Sequence, residues 1–183
     1  MIAFINDRYS GTAGKTIKGF VFVFLTFLVS LNVFYIIGLF EIVEPMSYIS
    51  GRVGRDEYIE KHRPEYAAIN YANHNISDNA KIMCMFLGNR SYYSDREVVF
   101  RYNLVPKAAL QEYSSEKILI DLKKRKITHI LIRYDLFSKW LQDNYSEREK
   151  EVINKFFKKH TSLLFSKNGH GLYQLKNHTF VDS

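Results

Sequence analysis

Only one cysteine, Cys84, stands in a chain of 183 residues, so no intramolecular disulfide can staple the fold and packing alone must hold it. Three prolines and nine glycines are too few, and too scattered, to form a Gly/Ser/Pro-rich linker. Internal repeats and low-complexity stretches are also missing, so nothing divides the sequence into several globular domains. The six histidines, His62, His74, His129, His160, His170 and His178, show neither HxxxH nor HExxH spacing, which argues against a zinc site. Residues 10–16, SGTAGKT, end like a phosphate-binding loop. The first glycine of that motif would fall at Tyr9, and no buried strand precedes it, so nucleotide binding is set aside. No Ser-His-Asp or Cys-His arrangement can be assembled from sequence order, and neither a metal nor a cofactor is expected.

What the chain does have is an uncharged run from Gly19 to Phe40, GFVFVFLTFLVSLNVFYIIGLF. As a helix these roughly 22 residues measure about 33 Å, enough to cross a hydrocarbon core about 30 Å thick. A cleaved signal peptide has a shorter apolar region followed by small residues, whereas here Glu41-Ile-Val-Glu-Pro45 follows. A core helix of a soluble domain carries a polar stripe, and only Thr26, Ser30 and Asn32 interrupt this one. A membrane anchor is the preferred reading, with Asn32 either bonding to a partner helix or simply tolerated. Arg8, Lys15 and Lys18 precede the run, while Glu41 and Glu44 follow it. By the positive-inside rule the N-terminus is cytoplasmic. The expected organisation is a cytoplasmic segment 1–18, a single transmembrane helix 19–41 and an extracytoplasmic (periplasmic or extracellular) α/β domain 46–183.

The remaining stretch of about 135 residues is the size of one domain able to bury its own core. Cys84 lies in the apolar run Ile82-Met-Cys-Met-Phe86 and is expected to be buried and inert. The formal charge of +7 raises nucleic-acid binding as an option. The anchor lowers it, and no aromatic-and-basic surface pattern supports it, so no nucleic acid is expected as a partner. Lys123-Lys-Arg-Lys126, the densest basic run, reads as a solvated helix end complementing the C-terminal dipole, with attraction to anionic head groups or phosphates as the second reading.

Along the chain, Arg55 to Asn75 reads as helix, with Pro64 in the first turn of a second piece and Tyr66, Ile69 and Ala72 on one face. Lys81 to Leu87 fits a strand buried on both faces, and Val98-Val-Phe100 fits another. Ser114 is placed to cap a helix burying Ile118, Leu119 and Leu122, and Ile127 to Arg133, ITHILIR, is a third strand. Asp135 is expected to cap the next helix, and Ser146-Glu-Arg-Glu149 has capping-box spacing for one more. Ser162-Leu-Leu-Phe165 and Leu172-Tyr-Gln-Leu175 flank Asn168-Gly169, a type I′ hairpin signal. Strands alternating with helices and closed by a C-terminal β-hairpin define an α/β domain, of two or three layers, with a mixed sheet.

This order of segments, an apolar span, then EYIEKHRPEYAAINYANHNISDNAKIMCMFLGNRSYYSDR, then ITHILIR, then LLFSKNGHGLYQL, resembles the extracytoplasmic C-terminal region of polytopic membrane glycosyltransferases. These GT-C enzymes use polyprenyl-phosphate-linked sugars and include relatives of protein O-mannosyltransferases and lipid A aminoarabinose transferases. The resemblance covers roughly residues 20–176, through Gly88 to Arg96, the THILI strand and the closing hairpin; none of these is a catalytic signature. It implies a domain beside an active site, because the family's catalytic acid lies in a first outer loop that has no counterpart here. Whether the chain itself is an enzyme is therefore left open. It reads either as a fragment of a longer enzyme or as a stand-alone relative with a multi-span partner.

Arg90, Tyr92, Tyr93, Asp95 and Arg96 follow the first buried strand, at the end where α/β sheets commonly place ligands. Arginines grip phosphate and tyrosines stack on sugars, so a candidate contact with a lipid-linked sugar or a partner protein falls here. The competing reading has the tyrosines fill the gap between sheet and helix while Asp95 pairs with an arginine. Asn75, Asn89, Asn144 and Asn177 each begin an Asn-x-Ser/Thr triplet. They are expected to be bare, because the family resembled is mainly bacterial. The functional expectation is a membrane-anchored domain of a lipid-linked-sugar glycosyltransferase system, non-catalytic by itself and assisting donor or acceptor positioning. The alternative is an anchored adaptor that binds another envelope protein.

Overall fold

The computed structural model describes residues 12–104 and 114–176. Arg8, Ser10, Gly11, Asn177 and His178 lie outside the described residues. The chain separates into two compact units, residues 1–55 and 56–183.

The first unit is built on helix α1, Thr12–Val43, followed by the short helix α2, Pro45–Ile49. Its apolar part, Lys15–Val43, has a mean hydropathy of 2.5 in its best window, none of which is buried. The helix is longer than the uncharged run because backbone hydrogen bonding does not stop where hydrophobicity does, and Lys15 and Lys18 are good helix formers. Its polar side chains satisfy themselves within the helix: the Ser30 hydroxyl donates to the Thr26 carbonyl at 2.9 Å and the Asn32 amide to the Leu28 carbonyl at 3.2 Å. Pro45 bars its predecessor from continuing the helix, and Glu44 leaves it at φ 46°.

The second unit opens with helices α3, Arg55–His62, and α4, Tyr66–Asn75. Pro64 lies in the turn between them, one residue before the α4 N-cap position at Glu65, instead of inside the first helical turn. Five strands follow: β1 Lys81–Met85, β2 Glu97–Phe100, β3 His129–Arg133, β4 Thr161–Lys167 and β5 His170–Leu175. Helix α5, Ser115–Lys124, precedes β3, and α6, Tyr134–Asn144, and α7, Glu147–His160, separate β3 from β4. The sheet order is β2-β1-β3-β5-β4. β1 is parallel to both β2 and β3, whereas β5 is antiparallel to β3 and β4, so the sheet is mixed.

Both faces of the sheet are covered, which settles the layer count at three. Ile82, Cys84, Leu131 and Leu172 pack against Ala68, Ile69 and Ala72 of α4. On the other face Met83, Met85, Ile130 and Ile132 meet Ile118, Leu119 and Leu122 of α5 and Ile153 and Phe156 of α7. A strand covered twice has no polar side to show, which is why Ile82 to Met85 reads as an unbroken apolar run.

Local signals account for most boundaries. The Ser114 hydroxyl accepts from the Lys117 N–H, and Ser146 with Glu149 closes a reciprocal capping box. Asn168 and Gly169 take φ of 50° and 75°, the positive pair of a type I′ turn. Asp135, however, is not the N-cap. α6 starts one residue earlier, at Tyr134, with Arg133 in the N-cap position. Asp135 instead accepts two hydrogen bonds from the Arg133 guanidinium, each 2.8 Å, which holds its carboxyl below the ordinary carboxylate range.

Burial pushes the Cys84 thiol up to about 12. With so little thiolate present, a disulfide reagent at pH 8 should modify Cys84 at least about a thousandfold more slowly in the folded chain than after unfolding. Comparable rates in the two states would show that the sheet opens onto α4 far more often than its packing allows.

Candidate functional site

β1 is flanked by two parallel strands reached in opposite directions, which makes the carboxyl ends of β1 and β3 the topological switch point of the sheet. The chain leaves β1 there through strained backbone. Phe86 has φ 64°, a left-handed value that costs a bulky residue about 1–3 kcal/mol, and Gly88 has φ 69°, which glycine adopts without penalty. The Phe86 ring is held by Tyr102, Phe137 and Trp140, with centroids 5.8, 6.4 and 5.6 Å away.

The segment from Gly88 to Arg96 is then fastened to α4. Asn73 donates from its side-chain amide to the Tyr93 carbonyl at 2.9 Å and accepts the Asp95 N–H at 3.0 Å, so one side chain fixes both sides of the turn. The Arg96 guanidinium donates to the carbonyls of Asn73 at 2.7 Å and Ile76 at 3.0 Å and pairs with Asp78 at 2.9 Å. Those carbonyls belong to the end of α4, where intrahelical donors run out, so Arg96 acts as a C-terminal cap. Asp95 contributes backbone only; the expected Asp95–arginine pair is replaced by Arg96–Asp78 and by Arg90–Glu65 at 2.9 Å. Tyr93 lies edge-on to Tyr66 with centroids 5.3 Å apart.

Three of the five sequence-picked residues keep exposed chemistry, Arg90, Tyr92 and Asp95. Tyr92 is 68% exposed and leans on Tyr93 with centroids 4.3 Å apart, and the Arg90 side chain is half-exposed. Beneath them Glu65 is buried at 7% exposure and takes the Arg90 guanidinium, while Arg133 sits within the field of both Asp135 and Glu65. The result is a small cationic and aromatic edge at the switch point. Glu65, Asn73 and Arg133 escaped the sequence reading because each acts through a distant partner, and no spacing rule links residues 65 and 90 or 73 and 93.

His129 and the basic run lie away from this edge. His129 is buried at the start of β3, its Nδ1 2.8 Å from the Thr128 hydroxyl, and burial holds it below its ordinary pKa and therefore neutral near pH 7. Lys123 and Lys124 occupy the last turn of α5. Among the described residues no group of three His, Cys, Asp or Glu is arranged to hold a metal.

The chain is thus an α/β protein with a five-stranded mixed sheet and an N-terminal helix long and apolar enough to cross a membrane. No family model and no curated protein matches it. Among solved structures it is similar to the crystal structure of the C-terminal globular domain of an oligosaccharyltransferase from Archaeoglobus fulgidus, at 20% identity over 60% of this chain and 95% of that one, with a TM-score of 0.37.

The geometry separates the two arginines. Arg96→Ala should destabilise the second unit by about 2–3 kcal/mol, because part-buried carbonyls lose a charged donor, whereas Arg90→Lys, which keeps a cation over the buried Glu65, should cost less than about 1 kcal/mol. Denaturant unfolding of the full chain in detergent measures both, and equal losses would show that Arg96 is not the cap described.

Proposed function

We propose that this chain is a membrane-anchored domain of a lipid-linked-sugar glycosyltransferase system, non-catalytic by itself, which presents the Arg90–Tyr92 edge to a multi-span transferase or its lipid-linked sugar. The observation that carries the anchoring is the exposure of α1. Phe20, Phe22, Phe34, Tyr35 and Ile42 are each 69–77% exposed, in a helix whose apolar window is wholly unburied. Monomeric proteins in water rarely expose contiguous apolar patches above a few hundred Å². Lipid covers such a surface, and the self-satisfied Ser30 and Asn32 suit it, since a bilayer core offers no water to polar groups.

The N-terminal cations Lys15 and Lys18 favour a cytoplasmic N-terminus and an extracytoplasmic α/β domain. The sequence resemblance to GT-C enzymes supports the link to sugar transfer. In support of a positioning role, Arg90 supplies a guanidinium suited to phosphate, and Tyr92 an aromatic face suited to a sugar ring. The buried Glu65 holds Arg90 in place without hiding it.

Expressed whole, the chain should stay with membranes through high-salt and alkaline washing; recovery in the soluble fraction would end the anchor. Purified alone, it should not transfer sugar from a polyprenyl-phosphate donor. A photo-crosslinker at Tyr92 should capture a multi-span transferase, and Arg90→Lys, which keeps the cation over Glu65 but loses the guanidinium, should weaken that capture without lowering the melting temperature. Capture of an envelope protein unrelated to sugar transfer would instead favour the adaptor alternative.

A further inference from the structure

At the opposite end of the sheet, where β1 and β3 begin, lies a recess of about 470 Å³ that the proposed function leaves without a role. Its wall includes Asn79, Lys123, Lys126, Thr128 and Gln174, and among the described residues no carboxylate lines it. The acids nearest in sequence are engaged elsewhere: Asp121 with Arg125 at 2.6 Å and Asp78 with Arg96 at 2.9 Å. Among the described residues neither the Lys123 nor the Lys126 ammonium forms an ion pair, so two positive charges share one concavity without compensation.

Lys126 is there against local preference. The Ile127 N–H donates to the Leu122 carbonyl at 3.0 Å and the Lys126 N–H to the Lys123 carbonyl at 2.8 Å, the paired bonds of a Schellman helix end. Lys126 occupies the left-handed position of that motif, with φ 60°, where glycine is the favoured residue. Folding alone therefore does not account for a lysine at this site. The lysine that stands there lines the recess.

We propose that this recess binds a phosphoryl group, a phosphate monoester or pyrophosphate, between the ammonium groups of Lys123 and Lys126, with the side-chain amides of Asn79 and Gln174 as further donors. A phosphate monoester carries close to two negative charges near neutral pH, which matches two lysines with no carboxylate beside them. Lysine binds phosphate as a point charge and needs no bidentate geometry. The volume lies in the range of small-ligand sites, and it holds one or two phosphoryl groups with room for the group they are attached to. The site uses none of the residues of the Arg90–Tyr92 edge, so it stands or falls separately from the reading of that edge.

The test uses the full chain in zwitterionic micelles, titrated with inorganic pyrophosphate in one arm and with phosphatidic acid doped into the micelles in the other, while the backbone amides of Lys126 and Gln174 are followed by NMR. Saturable shifts are expected in at least one arm. Pyrophosphate alone would identify a soluble phosphoryl ligand, and phosphatidic acid alone a lipid head group. Lys126→Gly should weaken binding at least tenfold while leaving the melting temperature unchanged or higher, because glycine suits the left-handed position. Lys123→Gln should weaken it comparably, and Lys124→Gln, in the same basic run but not on the wall, should have little effect. Absence of saturable shifts in both arms, or an equal loss with Lys124→Gln, would overturn the site, the latter by reducing it to diffuse charge attraction.

Discussion

β1 and β3 lie between two helical layers and meet water on neither face, so their backbone polar groups can be satisfied only sideways, along the sheet. That requirement shapes the rest of the second unit. It demands a partner on each side of both strands, which β2 and β5 supply, and it forces β4 onto the far edge, where it pairs only with β5. It also demands apolar residues at consecutive positions, so Met83 and Met85 serve one layer while Ile82 and Cys84 serve the other. With no disulfide available, this doubled burial is the main stabilising term, at about 25 cal/mol for each Å² of apolar surface removed from water.

Covering both faces leaves the two ends of the strands as the places where polar chemistry can gather, and the ends are treated differently. At the carboxyl end the charges are tied in pairs: Arg90 to Glu65 and Arg133 to Asp135. Pairing rigidifies that edge and leaves Arg90 and Tyr92 as a small, pre-ordered surface. At the amino end, beyond the Arg96–Asp78 and Lys81–Glu97 pairs, Lys123 and Lys126 line a recess that has no carboxylate on its wall among the described residues. An ordered edge of paired charges and an aromatic ring suits a specific contact, and a cationic recess suits a multiply charged ligand.

The elements that could be read from the sequence are those whose cause is local. The Asn168-Gly169 turn, the Ser146–Glu149 capping box, the Ser114 cap and the apolar run of β1 are each fixed by residues a few positions apart, and each forms. Asp135 shows where local reasoning fails: the helix starts one residue earlier, at Tyr134, and the Arg133 guanidinium is the main partner of the carboxylate. Asn73 and Glu65 were out of reach because their partners, residues 93 and 95 in one case and 90 in the other, come near only after the sheet has formed. Lys126 hid for the opposite reason. A lysine at a helix end looks ordinary, and only its positive φ shows that glycine belongs there.

In the proposed function, the helix that anchors the chain also changes what its surfaces must achieve. A domain confined to the plane of a bilayer meets a partner in the same membrane at a high effective concentration, set by its tether, so a weak contact is enough to keep the two together. A half-exposed arginine and one exposed tyrosine would be a poor basis for association between soluble proteins, whose stable interfaces bury about 1,200–2,000 Å². Beside a tethered partner they suffice, and they permit exchange, which a positioning domain needs if substrate is to pass. The same physics explains why such a surface can be small and poor in motif. In that reading most of the association free energy would come from the apolar helix, where composition alone reveals it, and what remains for the edge would be orientation, carried by a few side chains whose spacing only the folded sheet defines.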